Sequence, residues 1–137
     1  MLKVLVVDDS LIIRKKLTKI IEKLGHEVVY GAKNGQEGID SFISKKPDLV
    51  TMDITMPDMD GITAVKKIIE ENSEAKIIMV TSHGQEDMVI KSIQAGAVGY
   101  MLKPITEEKL AHTIGEVFEE YIVDEDEDDL DILEDEF

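Results

Sequence analysis

The pattern that most constrains the fold of this 137-residue chain is a fivefold alternation of short apolar runs with segments of helical periodicity. The apolar runs lie near residues 2–7, 27–31, 48–52, 76–81 and 98–102, and the helical segments lie near 10–24, 34–45, 61–72, 85–95 and 106–121. This alternation is typical of repeated βα units. The runs of Val, Ile and Leu show no regular polar alternation, so helices must cover both faces of the sheet. The sequence therefore predicts an α/β fold, a (βα)5 doubly wound arrangement around a five-stranded parallel sheet.

Negative charge is concentrated at the C-terminal end of the chain. The net charge is -15, and the run from Asp124 to Glu136 holds 10 of the 30 acidic residues. Such a density of acids prevents compact burial. We therefore expect one compact domain over residues 1–122 and an acidic, disordered tail over 123–137. The charge also disfavours nucleic-acid binding, because it repels the phosphate backbone.

Two absences from the sequence disfavour other classes of protein. The chain has no cysteine, which excludes disulfides and thiolate metal sites and fits a reducing compartment. No stretch approaches the ~18 consecutive apolar residues that a membrane span requires. We therefore expect a cytoplasmic protein with no membrane partner. The negative charge predicts no nucleic-acid partner, and we also expect the protein to be a monomer.

A group of polar residues stands where the apolar runs end, and it indicates the chemistry of the chain. The group consists of Asp8, Asp9, Asp53, Thr81 and Lys103. The carboxyl ends of parallel strands lie along one edge of the sheet, where such folds bind ligands, so we expect these side chains to meet in one cleft. A lone carboxylate such as Asp53 is more often a helix cap or a turn former. Three clustered carboxylates, however, repel one another unless a cation lies among them, and carboxylate oxygens suit Mg²⁺.

Such a cleft is suited to phosphoryl chemistry. With a metal bound, a carboxylate oxygen of Asp53 is able to attack phosphorus as a covalent nucleophile. Lys103 would neutralise charge on the transferred group, and Thr81 would donate a hydrogen bond to it.

Taken together, these motifs resemble those of receiver domains of the response-regulator family. The likeness covers residues 1–122 and rests on the double acid at 8–9, the D-x-x-M-P-x-x-D-G segment from Asp53, Thr81 and the Lys103-Pro104 pair. The size of the chain and its DITMP segment are similar to those of stand-alone chemotaxis regulators. The resemblance implies a flavodoxin-like receiver fold for residues 1–122 and a role in chemotaxis or motility.

The resemblance also implies what each residue in the cleft does. Asp53 would accept a phosphoryl group from a sensor histidine kinase. Asp9, Asp53 and the backbone carbonyl of Thr55 would bind Mg²⁺, while Asp8 would act through water. Lys103 would contact the phosphoryl oxygens, and its peptide bond to Pro104 would be cis.

A second implication of the resemblance concerns signal output. Thr81 would move toward the phosphoryl group and Tyr100 would turn inward, which changes the surface of the fourth helix, fifth strand and fifth helix. The residues implied for this partner surface are Lys91, Gln94, Ala95, Tyr100 and Lys103. A downstream protein, with a flagellar-motor switch component as the leading candidate, would bind there.

Further residues lie beside the cleft by the same resemblance. Thr55 and His83 would tune the lifetime of the phosphoryl group by controlling the access of water. Leu11, Ile12 and Ile105 are hypothesised to form part of the kinase docking surface, although isolated exposed apolar residues are common. His26 and His112 are expected to have no functional role.

Other functions remain open at this point. A phosphatase of the haloacid dehalogenase class combines the same residue types, but it needs a second acid two residues after the nucleophile, where this chain has Thr55. The chain is therefore not expected to be an enzyme beyond its own autophosphorylation and autodephosphorylation. A module that only binds a cation is a second alternative. A phosphorelay intermediate, which passes the phosphoryl group to a histidine phosphotransfer protein, is the alternative within the family.

Overall fold

Five β-strands alternate with five α-helices in the computed structural model, which describes residues 1–82 and 84–122. The strands are β1 (Lys3–Val7), β2 (Glu27–Ala32), β3 (Leu49–Met52), β4 (Ile77–Thr81) and β5 (Gly99–Leu102). The helices are α1 (Leu11–Lys23), α2 (Gly35–Lys45), α3 (Gly61–Glu71), α4 (Glu86–Ala95) and α5 (Glu107–Val117). The predicted βα alternation is confirmed, whereas the predicted tail and His83 lie outside the described residues.

The strands form one parallel sheet in the order β2-β1-β3-β4-β5, as the doubly wound prediction requires. The chain moves from β1 to β2 at one edge and then crosses back to place β3 on the other side of β1. The strand order therefore reverses between β1 and β3. In open α/β sheets, ligands bind outside the carboxyl ends of the strands at this point of reversal.

Helices cover both faces of the sheet because inner strands bury successive side chains on opposite sides. On β1, Leu5 and Val7 pack in a core with residues of α2, α3 and α4, whereas Val4 and Val6 pack in a second core with residues of α1 and α5. All residues of β3 and β4 are buried. This is why the strands read as continuous apolar runs in the sequence.

The register brings the carboxyl ends of the inner strands to the same edge. Val7 pairs with Met52, and Met52 pairs with Met79. At the next pair of strands, Thr81 lies opposite Leu102. The residues that follow these pairs therefore start from one edge of the sheet.

Helix α1 begins and ends at residues that suit its termini. The Ser10 hydroxyl accepts a hydrogen bond from the Ile13 amide at 3.3 Å, and Gly25 adopts a φ of 91° just after the helix. A positive φ strains residues that carry a Cβ, so glycine fits there. The helix buries Leu17 and Ile21, which fixes its orientation on the sheet.

The last helix is shorter than predicted. It ends at Val117 instead of continuing to Tyr121, and Phe118 is extended before a 3₁₀ turn over Glu119–Tyr121. Phe118 and Tyr121 pack on the core beside α1 and α5, and the Tyr121 ring meets His26 edge-on with 4.8 Å between ring centroids. Burial of these two aromatic rings favours the turn over another helical turn.

Among residues 1–82 and 84–122, no helix is long and apolar enough to cross a bilayer.

Candidate functional site

Asp53 directly follows the last residue of β3, and its side chain is buried. Its backbone amide donates to the Val7 carbonyl at 3.0 Å, and its exposed fraction is 5%. A Cβ on Gly61 would overlap the Asp53 carbonyl, so only glycine lets the start of α3 approach this closely. The loop from Asp53 to Gly61 is therefore closed tightly against the strand end, as the Gly61 amide bond to the Ile54 carbonyl at 2.7 Å also shows.

The acidic pair follows β1 on the adjacent strand. Asp8 is buried, and its Oδ1 accepts a hydrogen bond from the Ser10 amide at 2.9 Å. Asp9 is exposed at the mouth of the cleft. One carboxylate oxygen from each of Asp8, Asp9 and Asp53 can be chosen so that all three lie within 4.8 Å of one another. The structure thus brings together the three acids that the sequence singled out.

Lys103 reaches the acids from the end of β5. Its Nζ lies 2.9 Å from Asp8 Oδ2 and 3.6 Å from Asp53 Oδ1, and its backbone amide donates to the Thr81 carbonyl at 2.8 Å. The peptide bond from Lys103 to Pro104 is cis. Thr81, at the end of β4, is fully buried. The three acids and Lys103 therefore lie around one cleft, and the Thr81 backbone adjoins Lys103.

The electrostatics of the cleft favour a bound cation. Burial and the neighbouring Asp8 charge raise the pKa of Asp53 from 3.8 to about 6, because the opposing effect of Lys103 is too small to compensate. Asp9 adds to the rise. A cation among these oxygens would stabilise the ionised carboxylate.

The donor set fits a hard divalent ion. Within the part of the chain that the structure describes, Asp8 Oδ2 accepts no well-directed hydrogen bond, although the Lys103 ammonium is close enough for a charge contact. A buried carboxylate oxygen in this state has capacity for a further partner. Oxygen ligands from several carboxylates are those that Mg²⁺ prefers. The cleft is therefore compatible with Mg²⁺.

The other predicted residues fall into several groups. Thr55 is exposed on the loop after Asp53, Tyr100 is half-buried on β5, and burial together with Asp87 raises the pKa of its hydroxyl. On α1, Leu11 and Ile12 are 56% and 77% exposed. Lys91 and Gln94 are exposed on α4. His83 lies outside the described residues.

Two predicted surface residues are buried, and their placement is a correction. Ala95 is 7% exposed and packs in the core beneath α4, while Ile105 is 3% exposed and packs in the core beneath α1 and α5. A partner cannot reach either side chain without displacing its neighbours. We therefore remove both from the candidate contact surfaces.

Two residues form structural contacts that the sequence did not predict. Arg14 is one of several basic residues on α1, for which exposure to solvent is the ordinary expectation, yet its Nη1 donates to the Asp8 carbonyl at 2.7 Å. Long side chains on a helix lean toward its N-terminus, and this tendency is the sequence signal that links Arg14 to the preceding loop. His26 was expected to have no role, but it is buried and its Nδ1 accepts the Leu2 amide at 3.0 Å.

Comparison with known proteins identifies the class. The chain belongs to the response regulator receiver domain family, whose family model matches residues 4–115. It is 45% identical over 112 residues to the chemotaxis protein CheY of Bacillus subtilis strain 168, covering 82% of this chain and 93% of that protein. It is 44% identical over 115 residues to the chemotaxis protein CheY of Thermotoga maritima, covering 84% of this chain and 96% of that protein.

A solved structure extends the likeness to three dimensions. The crystal structure of the CheX-CheY-BeF3-Mg²⁺ complex from Borrelia burgdorferi contains a chain that matches with a TM-score of 0.82 and 36% identity, covering 85% of this chain and 88% of that one. These findings confirm the predicted family and the receiver fold. They also show that the relatives include chemotaxis proteins, which are signalling proteins and not conventional enzymes.

Proposed function

We propose that this chain is a phosphorylation switch in chemotaxis or motility control, in which Asp53 accepts a phosphoryl group from a sensor histidine kinase. The observation that carries the proposal is the position of the buried Asp53 carboxylate. It lies among two further acids and 3.6 Å from the Lys103 ammonium. A nucleophile, a candidate cation site and a positive charge therefore surround the same point.

The proposed transfer is a displacement at phosphorus. A carboxylate oxygen of Asp53 attacks, an O–P bond forms, and the P–N bond to the kinase histidine breaks, so that its electron pair returns to the imidazole nitrogen. Lys103 would stabilise the negative charge that is shared by the phosphoryl oxygens, and Thr81 would donate a hydrogen bond to one of them. The product is an acyl phosphate on Asp53.

Mg²⁺ would be held by Asp9, Asp53 and the backbone carbonyl of Thr55, with Asp8 acting through water. When bound, the ion supplies positive charge that offsets the negative charge of the acids and of the incoming group. This arrangement also keeps Asp53 ionised, as its role as a nucleophile requires, at a pH where its raised pKa of about 6 would otherwise leave part of it protonated.

Output would pass through the face formed by α4, β5 and α5. Tyr100 lines a cleft of about 420 Å³ on this face together with residues of all three elements. On the same face, Lys91 and Gln94 of α4 are exposed, and so is Leu102 of β5. A change at Thr81 and Tyr100 would alter this cleft and thereby the affinity for a downstream protein, for which a flagellar-motor switch component is our leading candidate.

Thr55 supports a switch over a phosphatase. A phosphatase of the related chemistry needs an acid two residues after the nucleophile, and Thr55 offers a hydroxyl instead. Without that general acid/base, turnover of external substrates is disfavoured. Thr55 and His83 would instead regulate how readily water reaches the acyl phosphate.

Incubation with Mg²⁺ and a small phosphoryl donor such as acetyl phosphate tests the proposal. We expect intact-protein mass spectrometry to show one added phosphate, which Asp53→Asn abolishes. Asp58→Asn is the matched control, because Asp58 lies on the same loop with a φ of 70° that asparagine also tolerates. Continuous phosphate release would indicate a phosphatase, and no incorporation would indicate a module that only binds a cation.

A further inference from the structure

Besides its contact with Lys103, Asp8 forms three hydrogen bonds, and Arg14 donates one of them. The Asp8 amide donates to the Ala32 carbonyl at 3.0 Å, and its Oδ1 accepts from the Ser10 amide at 2.9 Å. In the third, the Asp8 carbonyl accepts from Arg14 Nη1 at 2.7 Å. This carbonyl belongs to the peptide that joins Asp8 to Asp9, so the guanidinium fixes the orientation of that peptide.

Asp9 depends on this peptide for its direction. No residue in 1–82 or 84–122 forms a hydrogen bond or an ion pair with its carboxylate, which is exposed. The backbone therefore sets the point from which the Asp9 side chain starts, and no contact with another described residue restrains it further. A rotation of the Asp8–Asp9 peptide would swing the Asp9 carboxylate away from the oxygens of Asp8 and Asp53.

The path of the Arg14 side chain is also defined by β2. A Cβ on Gly31 would lie 3.4 Å from Arg14 Cδ, so the arginine side chain runs directly over this glycine. A larger side chain at position 31 would occupy the space that Arg14 needs. The Arg14 backbone is fixed in α1, and the contact with Gly31 limits the path of its side chain on the side of β2.

We propose that Arg14 is a positioning residue for the cation: by fixing the Asp8–Asp9 peptide, it directs the Asp9 carboxylate toward Mg²⁺. The inference rests on the proposed function, because it concerns the ion which that function requires. The proposal predicts the direction in which Mg²⁺ affinity changes when Arg14 is removed. If Arg14 acted only through its charge, it would repel Mg²⁺ and its removal would strengthen binding, whereas loss of a positioning contact weakens binding.

Calorimetric titration of the full chain with Mg²⁺ measures the direction of this change in affinity. We expect Arg14→Met to weaken Mg²⁺ binding about 10-fold, the lower end of the range for residues that orient metal ligands. Gly31→Val keeps the arginine and its charge but displaces the side chain, so we expect a loss in the same direction. Lys15→Met is the matched control: it removes an exposed charge from the neighbouring position on α1 and should change affinity less than about twofold.

A structural readout separates positioning from a general loss of stability. In NMR spectra recorded without Mg²⁺, the amide nitrogen shift of Asp9 should move in Arg14→Met and Gly31→Val but not in Lys15→Met, because that nitrogen shares a peptide with the Asp8 carbonyl. If Arg14→Met does not fold, Gly31→Val carries the test.

The failures of the two ideas are distinguishable. Wild-type protein that binds no Mg²⁺ would overturn the proposed cation site, and the inference with it. Wild-type protein that binds Mg²⁺, with folded Arg14→Met or Gly31→Val binding it equally or more tightly, would overturn the positioning role alone.

Discussion

The Lys103 ammonium lies 2.9 Å from Asp8 Oδ2, and the Asp8 side chain in this contact is only 1% exposed. Lys103 therefore compensates a buried charge in addition to facing the proposed phosphoryl position. Removal of one partner from a buried pair leaves the other charge uncompensated, which costs more than the pair itself contributes.

We accordingly expect Lys103→Met to destabilise the protein. The lysine side chain is 16% exposed, so the loss should fall below that of a fully buried pair, at about 2 kcal/mol of unfolding free energy near neutral pH. Urea denaturation measures it, and Lys91→Met, which removes an exposed charge, is the control. Equal stability of Lys103→Met and wild type would show that Asp8 needs no compensation.

Asp53 should make the protein less stable as the pH rises. Its pKa is about 6 when folded and 3.8 ordinarily, so the folded state binds the proton more tightly. The resulting stabilisation is complete below the ordinary value and is lost as the pH rises through about 6. Without divalent cations, Asp53→Asn should therefore gain about 2 kcal/mol over wild type at about pH 8 and little at about pH 4. A gain that does not depend on pH would assign the effect to packing.

Proton and metal should compete for the same carboxylate. Since Asp53 must be ionised to bind a cation, Mg²⁺ affinity should fall as the pH falls through about 6. We expect about 10-fold weaker binding at about pH 5 than at about pH 7, measured by calorimetry. Affinity that stays constant over this interval would mean that Asp53 is not a ligand.

His26 should have the opposite effect on stability. Burial, and secondly the positively charged N-terminus, lower its pKa below 6.5, and its Nδ1 accepts the Leu2 amide. The unfolded chain therefore binds the proton more tightly, so stability is complete above 6.5 and is lost as the pH falls through the lower folded value. In an Asp53→Asn background, His26→Asn should flatten the acid side of the stability profile measured by urea denaturation. His112→Asn, which alters an exposed histidine on α5, is the comparison variant, and an equal flattening in both variants would contradict a specific role for the buried His26.

Thr51 offers a route to a more stable protein. It is 1% exposed between Val6 and Ile78 of the flanking strands, and no described residue hydrogen-bonds its hydroxyl. Because valine has the same shape without the polar group, Thr51→Val should raise the unfolding free energy by about 1 kcal/mol. Thr113→Val, which removes a hydroxyl that donates to the Lys109 carbonyl at 2.9 Å, should give no such gain. A loss at position 51 would indicate an unseen partner for its hydroxyl.

The fold was predictable because the inner strands, whose ends carry the candidate site, are also the most buried strands. Inner strands such as β3 and β4 must be apolar on both faces, so Asp53 and Thr81 stand out where those runs end. The strand ends could thus be located, and with them the cleft. The end of α5 could not, because the helical pattern continues past Val117 while the packing of Phe118 and Tyr121 depends on distant residues.

The errors within the site also have tertiary causes. Ile105 was hypothesised to join Leu11 and Ile12 on a kinase docking surface, but the packing of α1 and α5 buries it. Arg14 was one of several basic residues on α1, and its contact with Asp8 depends on how the helix lies over β2. Neither relationship is visible in local periodicity.

The strands that carry the cleft residues differ in how many neighbouring strands they are hydrogen-bonded to. Asp8, Asp9 and Asp53 follow β1 and β3, each of which has a bonded neighbour on both sides, whereas Lys103 follows β5, which has a neighbour on one side only. Backbone pairing therefore restrains the strands of the three acids on both sides, and the strand of the lysine on one side only. Movement on the β5 side, which also carries Tyr100, would therefore break fewer sheet hydrogen bonds than movement at β1 or β3.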